Sequence, residues 1–199
     1  MIKLIPAYLF MLLLPACHPP GKITTTSVAL HEDQVLFWQA LTQICGHAYE
    51  GTVVAAPAND TAFKNKRLVM HVRSCGDDRI RIPFIVGNDL SRTWVFTTEA
   101  DRLLLKHDHR HKDGSADSIT QYGGHTTNKG TRSIQFFPAD HQTTAMLPAA
   151  AGNVWWVEII PGQYFTYNLR RLGTERFFSI RFDLSKRVDP PPAPWGWQD

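Results

Sequence analysis

The residues that decide the fold read RIRIPFIVGNDLSRTWVFTTEADRLLLKHDH, positions 79–109. Within 79–86, 93–98 and 102–109 the apolar side chains return at every second position: Ile80, Ile82 and Phe84, then Trp94 and Phe96, then Leu103 and Leu105. That period belongs to strands with one buried face. The link at 87–91 is long enough only for a turn, and short turns join antiparallel neighbours.

The same period runs outward in both directions. Candidate strands at 52–56, 67–74, 132–137, 154–160, 163–170 and 176–184 join the three already named, with short turns at 76–78, 161–162 and 173–174. Ahead of them, Val35, Leu36, Trp38, Leu41, Ile44, Cys45 and Ala48 keep helical spacing, with Asp33 placed as a cap and Gly51 as a stop. Eight or nine strands after one helix predict a mainly β chain. The expected form is an antiparallel meander making a barrel or strongly curved sheet with one N-terminal amphipathic helix; a two-sheet β-sandwich is the alternative. One long connection, 112–130, holds Asp113, Tyr122, Gly123, Gly124 and His125, and loops of that length are often functional. The ending, with Pro190, Pro191, Pro192 and Pro194 before Trp195 and Trp197, cannot continue a central strand and is expected to wrap the surface in polyproline II form.

Composition bounds the function. At 199 residues, 43% hydrophobic and 20% charged, the chain is too apolar for disorder and the right length for one domain. Its 21 Lys and Arg against 18 Asp and Glu give +3, too small and too scattered for a nucleic-acid partner.

The first residues carry an address. Lys3 precedes the apolar run Ala7, Tyr8, Leu9, Phe10, Met11, Leu12, Leu13, Leu14, then Pro15, Ala16 and Cys17. A single positive charge, a short apolar run and small residues make residues 1–16 a signal peptide, and the run is too short to span a bilayer. The segment Leu14, Pro15, Ala16, Cys17 resembles the lipobox of bacterial lipoproteins. That resemblance implies a lipid anchor on Cys17 and an extracytoplasmic, membrane-attached protein; His18 in place of an acid after the cysteine implies the outer membrane rather than the inner. The domain layout is then a lipidated cysteine and tether over 17–30, a β-rich domain over 31–188 and a tail over 189–199. Three cysteines leave one odd thiol in an oxidising compartment, so with Cys17 lipidated, Cys45 and Cys75 are expected to form a disulfide.

The candidate site follows from Leu103 and Leu105. If the pleat stays in phase, His107, His109 and His111 continue their inward face toward the mouth of whatever the sheet encloses, and a single bulge would reverse this. Two histidines at i and i+2 have Cα atoms roughly 6.5–7 Å apart and can share an ion, whereas the third lies roughly 13 Å from the first. A divalent transition metal would therefore take His107 and His109 with His125 and Asp113, while Asp117, His141 and Glu158 are further donors. The bland alternative is a solvated rim of paired charges. A third possibility is imidazoles that titrate together near pH 6.5 and move a loop.

The segment His107-Asp108-His109-Arg110-His111 with Asp113-Gly114, followed by Tyr122-Gly123-Gly124, resembles a pattern in secreted bacterial proteins of unassigned function, which implies a shared site and no particular activity. Elsewhere, His71 shares a strand face with Arg67 and Arg73 and is expected to meet solvent. Trp94, Phe96, Trp156, Tyr164, Phe178 and Phe182 are candidates to line a cavity or fill a core. No Gly-x-Ser-x-Gly, His-Glu-x-x-His, phosphate-loop or dinucleotide signature is present. The favoured reading is a lipid-anchored protein binding a small ligand or a metal near the histidine-rich strand end, through His107, His109, His111, Tyr122 and His125. The rivals are a metal-dependent enzyme at the same residues and an envelope protein that meets partners through Trp195 and Trp197.

Overall fold

A computed structural model describes residues 29–197. The leader, Cys17 and most of the tether lie outside the described residues. No helix among the described residues is long and apolar enough to cross a membrane.

The chain opens with α1 (Glu32–Gln43) and continues through β1 (Ala48–Ala55), β2 (Leu68–His71), β3 (Ser74–Cys75), β4 (Arg79–Val86), β5 (Asp89–Glu99) and β6 (Arg102–His109). There follow β7 (Tyr122–His125), β8 (Ile134–Pro138), α2 (His141–Met146), a single 3-10 turn (Pro148–Ala150), β9 (Asn153–Ile160), β10 (Tyr164–Arg171) and β11 (Phe177–Val188). The strands make one antiparallel sheet in the order β7-β6-β5-β4-β2-β1-β11-β10-β9-β8, with β3 added to β4. One continuous sheet, not a two-sheet sandwich, therefore encloses the core. Its two edge strands come back together, so the sheet is a nearly closed barrel.

The seam between β7 and β8 depends on glycine and on α2. The Asp140 N–H donates to the Gly123 carbonyl (2.9 Å), and the Thr143 hydroxyl both accepts from the Gly123 N–H (2.7 Å) and donates to its carbonyl (2.8 Å). A Cβ on Gly124 would lie 1.8 Å from the Pro138 carbonyl oxygen, and one on Gly123, at φ +151°, 1.9 Å from that of Leu105. Only residues without side chains let these backbones approach.

α1 closes one end of the barrel. Phe37 and Leu41 are fully buried, each contributing roughly 1.5–3 kcal/mol of transfer free energy. The Gln34 amide donates to the Thr126 hydroxyl (2.9 Å), which also accepts from the Leu103 N–H (3.1 Å). The Cys45–Cys75 disulfide is formed, with Cα atoms 6.3 Å apart, and pins the end of α1 to β3.

Several expectations need correction. The cap of α1 is His31, whose ring accepts from the Asp33 N–H while the Gln34 side chain accepts from the His31 N–H, a reciprocal capping box. The helix stops well before Gly51, which instead lets β1 cross Phe182, whose ring would lie 2.6 Å from an added Cβ. His71 is buried, because both faces of β2 are covered. Ala48, Val69 and Ile85 form a small outer apolar cluster with Leu90 and Val188, and the tail passes it, Trp195 N–H donating to the Leu90 carbonyl (3.1 Å). The Trp197 ring sits under Arg73 and Arg81, with guanidinium carbons 5.2 and 5.8 Å from its centroid. Trp156 and Tyr164 face outward, Trp156 stacked on Phe177 and Tyr164 beneath Arg181; Trp94, Phe96, Phe178 and Phe182 belong to the core. The long connection holds β7, which the glycine pair hides from a propensity count.

Candidate functional site

The end of the barrel opposite α1 is a mouth, framed by the connections 56–67, 110–121 and 172–176. Here the pleat of β6 stays in phase: Leu103, Leu105 and His107 are all buried on the inner face. Register pairs His107 with Tyr122, so the two rings share that face and stack at 4.6 Å and 9°. Trp155 of β9 packs against both, at 5.1 Å from His107 and 5.9 Å from Tyr122.

Both nitrogens of His107 are committed. Nδ1 lies 2.9 Å from the Tyr122 carbonyl oxygen, which can only accept, so Nδ1–H donates there. Nε2 is then free of hydrogen and accepts from the Tyr167 hydroxyl at 2.6 Å. Burial, with lesser contributions from the charges of His109 and Lys106, pushes the imidazole pKa down to about 3. Burial likewise holds the Tyr167 hydroxyl well above its usual pKa. His107 is therefore neutral and donates its binding capacity to the barrel itself.

His109 is one step nearer solvent and half-buried. Its Nε2 is 3.0 Å from the Tyr122 hydroxyl, with the rings 5.4 Å apart. Burial and the nearby Arg92 guanidinium lower its pKa, against the opposing pull of Asp117, Asp108 and Asp89. Burial raises the Tyr122 hydroxyl to about 12. At neutral pH the pair is an uncharged imidazole and an uncharged phenol, able to donate and accept but not to carry charge.

The remaining predicted site residues go elsewhere. β6 ends at His109, and His111 is exposed in the turn beyond, its N–H donating to the Ser115 carbonyl (2.9 Å). Asp113 is an exposed turn carboxylate that accepts from the Ser115 N–H and hydroxyl. His125 pairs with Leu104 in register, which places it on the outer face; its Nε2 meets Glu99 at 2.8 Å. The donor set His107, His109, His125 and Asp113 is thus not brought together, because His107 and His109 lie on the inner face of the sheet, His125 on the outer face and Asp113 beyond the end of β6. His141 is exposed at the start of α2, and Glu158 faces outward and accepts from the Tyr164 hydroxyl. Among the described residues no three His, Cys, Asp or Glu side chains are placed to hold a metal ion.

The mouth does enclose space. A cavity of about 400 Å³ is walled by Phe63, Ile119, Leu147, Trp155, Tyr167 and Phe178, with His109, Tyr122, Asn153, Arg171 and Arg176 as polar groups and Asp60 and Asp117 at its rim. A second indentation of about 440 Å³ lies under the same 56–67 connection, but its walls carry no histidine or tyrosine. Trp155, Tyr167 and Arg171 were within reach of the sequence, since they extend the inward period of Val157 and Ile159 and of Phe165 and Leu169 across the sheet. Phe63 was not, because it comes from an irregular connection with no period to follow. Comparison with family models, with curated proteins and with solved structures finds no match for this chain.

Proposed function

We propose that the protein is an extracytoplasmic, lipid-anchored barrel that binds a small organic molecule at its open mouth. The observation that carries this is the cavity between Trp155, Tyr122 and His109 at the end of the barrel that α1 leaves uncovered. Ligand sites are concave, mostly apolar, and carry a few convergent polar groups. This mouth combines aromatic walls with an imidazole, a phenol and two guanidiniums. The rings are held in place from behind: His107 fixes Tyr122 by stacking and through its carbonyl, and Tyr167 fixes His107. Preorganised walls lower the entropy lost on binding. The membrane anchor rests on the leader and Cys17.

Binding without a resident metal suits this geometry better than metal-dependent catalysis, because His107 has no free nitrogen and His125 faces away. Two measurements test the proposal. Chemical-shift mapping of the purified chain against a panel of one- and two-ring organic compounds should move the His109, Tyr122 and Trp155 signals; a panel that moves none of them contradicts it. Cys17→Ser should release the protein from the membrane fraction, and continued attachment would contradict the anchor.

A further inference from the structure

Two arginines face one another at the lip of the mouth. Arg171 and Arg176 close the turn between β10 and β11, the Arg171 N–H donating to the Arg176 carbonyl (3.0 Å). Leu169 and Phe178, two residues inward on each strand, are buried in the core, so the pleat carries both arginines to the inner face, where both line the cavity. Like charges opposite one another across two strands are destabilising. Among the described residues neither guanidinium has a carboxylate within 4.0 Å; the Arg171 Nε–H donates to neutral Asn153 (2.9 Å). The carboxylates at the rim serve their own turns, Asp60 accepting from the Ala62 N–H and Asp117 from the Ile119 N–H, both at 2.9 Å.

A cation pair with no salt-bridge partner among the described residues thus borders a cavity whose walls are mostly aromatic and aliphatic, the carboxylates of Asp60 and Asp117 lying more than 4.0 Å from either guanidinium. A carboxylate is planar and matches a guanidinium fork with two parallel hydrogen bonds. Aromatic walls favour a flat apolar body, and a cavity of about 400 Å³ has room for one or two fused rings. Arg176 and Arg171 line the same cavity as Trp155, Tyr122 and Tyr167.

We infer that the ligand is an aromatic carboxylate, its ring against Trp155 and Tyr122 and its carboxylate on Arg171 and Arg176. This rests on the mouth being a small-ligand site, and the test separates the two. The purified full-length chain is titrated by calorimetry with 2-naphthoate, with uncharged 2-naphthalenemethanol and with acetate. The naphthoate should bind at least ten times more tightly than the alcohol, and acetate far more weakly than either. Arg176→Glu, which supplies an internal anion for Arg171, should melt no lower than wild type, lose naphthoate affinity at least tenfold and keep the alcohol within threefold. Arg176→Gln, which removes the charge without adding an anion, should likewise lose naphthoate affinity and keep the alcohol within threefold. Equal affinity for naphthoate and alcohol, or a preference that survives both substitutions, would overturn the carboxylate while leaving the mouth as a binding site. Acetate binding as well as naphthoate would overturn the aromatic part. Binding of neither ring compound would take down both.

Discussion

His107 should make the protein acid-labile in a pH range where carboxylates are still ionised. Its pKa is about 3 in the folded state against 6.5 in the unfolded chain. Below pH 6.5 the unfolded chain takes up a proton that the folded barrel refuses. Stability from this group is therefore complete above pH 6.5 and falls as the pH drops toward 3, by up to about 1.4 kcal/mol per unit. Between pH 7 and pH 5 the loss works out at about 2 kcal/mol. His107→Gln keeps a donor for the Tyr122 carbonyl and an acceptor for the Tyr167 hydroxyl but cannot titrate. Urea unfolding of both proteins, followed by tryptophan fluorescence at pH 7, 6 and 5, isolates the effect. His71 and His109, whose pKa values are also lowered by burial, act in both proteins and cancel in the difference. The wild type should lose about 2 kcal/mol more than the variant across this range. Parallel pH dependences, or a His107 resonance titrating near 6.5, would refute a buried neutral imidazole.

Three further outcomes test the frame around the site. Thr143→Val keeps the shape of the side chain but strips the Gly123 N–H and carbonyl of their buried partner; denaturant melts should show a loss of about 1–3 kcal/mol. Gly124→Ala must push β7 away from Pro138, and should cost about 1–3 kcal/mol and speed hydrogen exchange at the Asp140 amide if the seam closes as described. Paired Cys45→Ala and Cys75→Ala substitution frees a loop spanned by 30 residues; chain-entropy reasoning gives a loss of about 3–4 kcal/mol, read as a lower urea midpoint that reducing agent does not shift further.

The barrel was legible because period two is a strong signal when turns are short: Ile80 to Phe84, Trp94 to Phe96 and Leu103 to Leu105 all fall inward as their spacing says. The inward placement of His107 followed from the same phase. Three things hid the rest. β7 is Tyr-Gly-Gly-His, four residues that earn their place through backbone approach rather than propensity. The outer face of β2 reads as solvent-facing until Leu90, Val188 and the proline-rich tail are brought beside it, and it is this cover that buries His71. His125 could be assigned to a face only once its pairing with Leu104 was known, and His111 only once β6 was seen to end at His109. The arginine pair hides for a different reason: a charge at a strand end looks like a rim residue unless the opposite strand is known to place a second one beside it.

The central claim is that the mouth beside His109, Tyr122 and Trp155 is where this protein takes its ligand. It is tested most directly by a heteronuclear NMR titration of the purified chain with 2-naphthalenemethanol and then with 2-naphthoate. The account predicts saturable shifts at the Trp155 indole, the His109 ring and the Tyr122 ring with both compounds, larger for the naphthoate. Shifts confined to Trp197 and the tail, or to the outer rings of Phe136, Trp156 and Phe177, would contradict it.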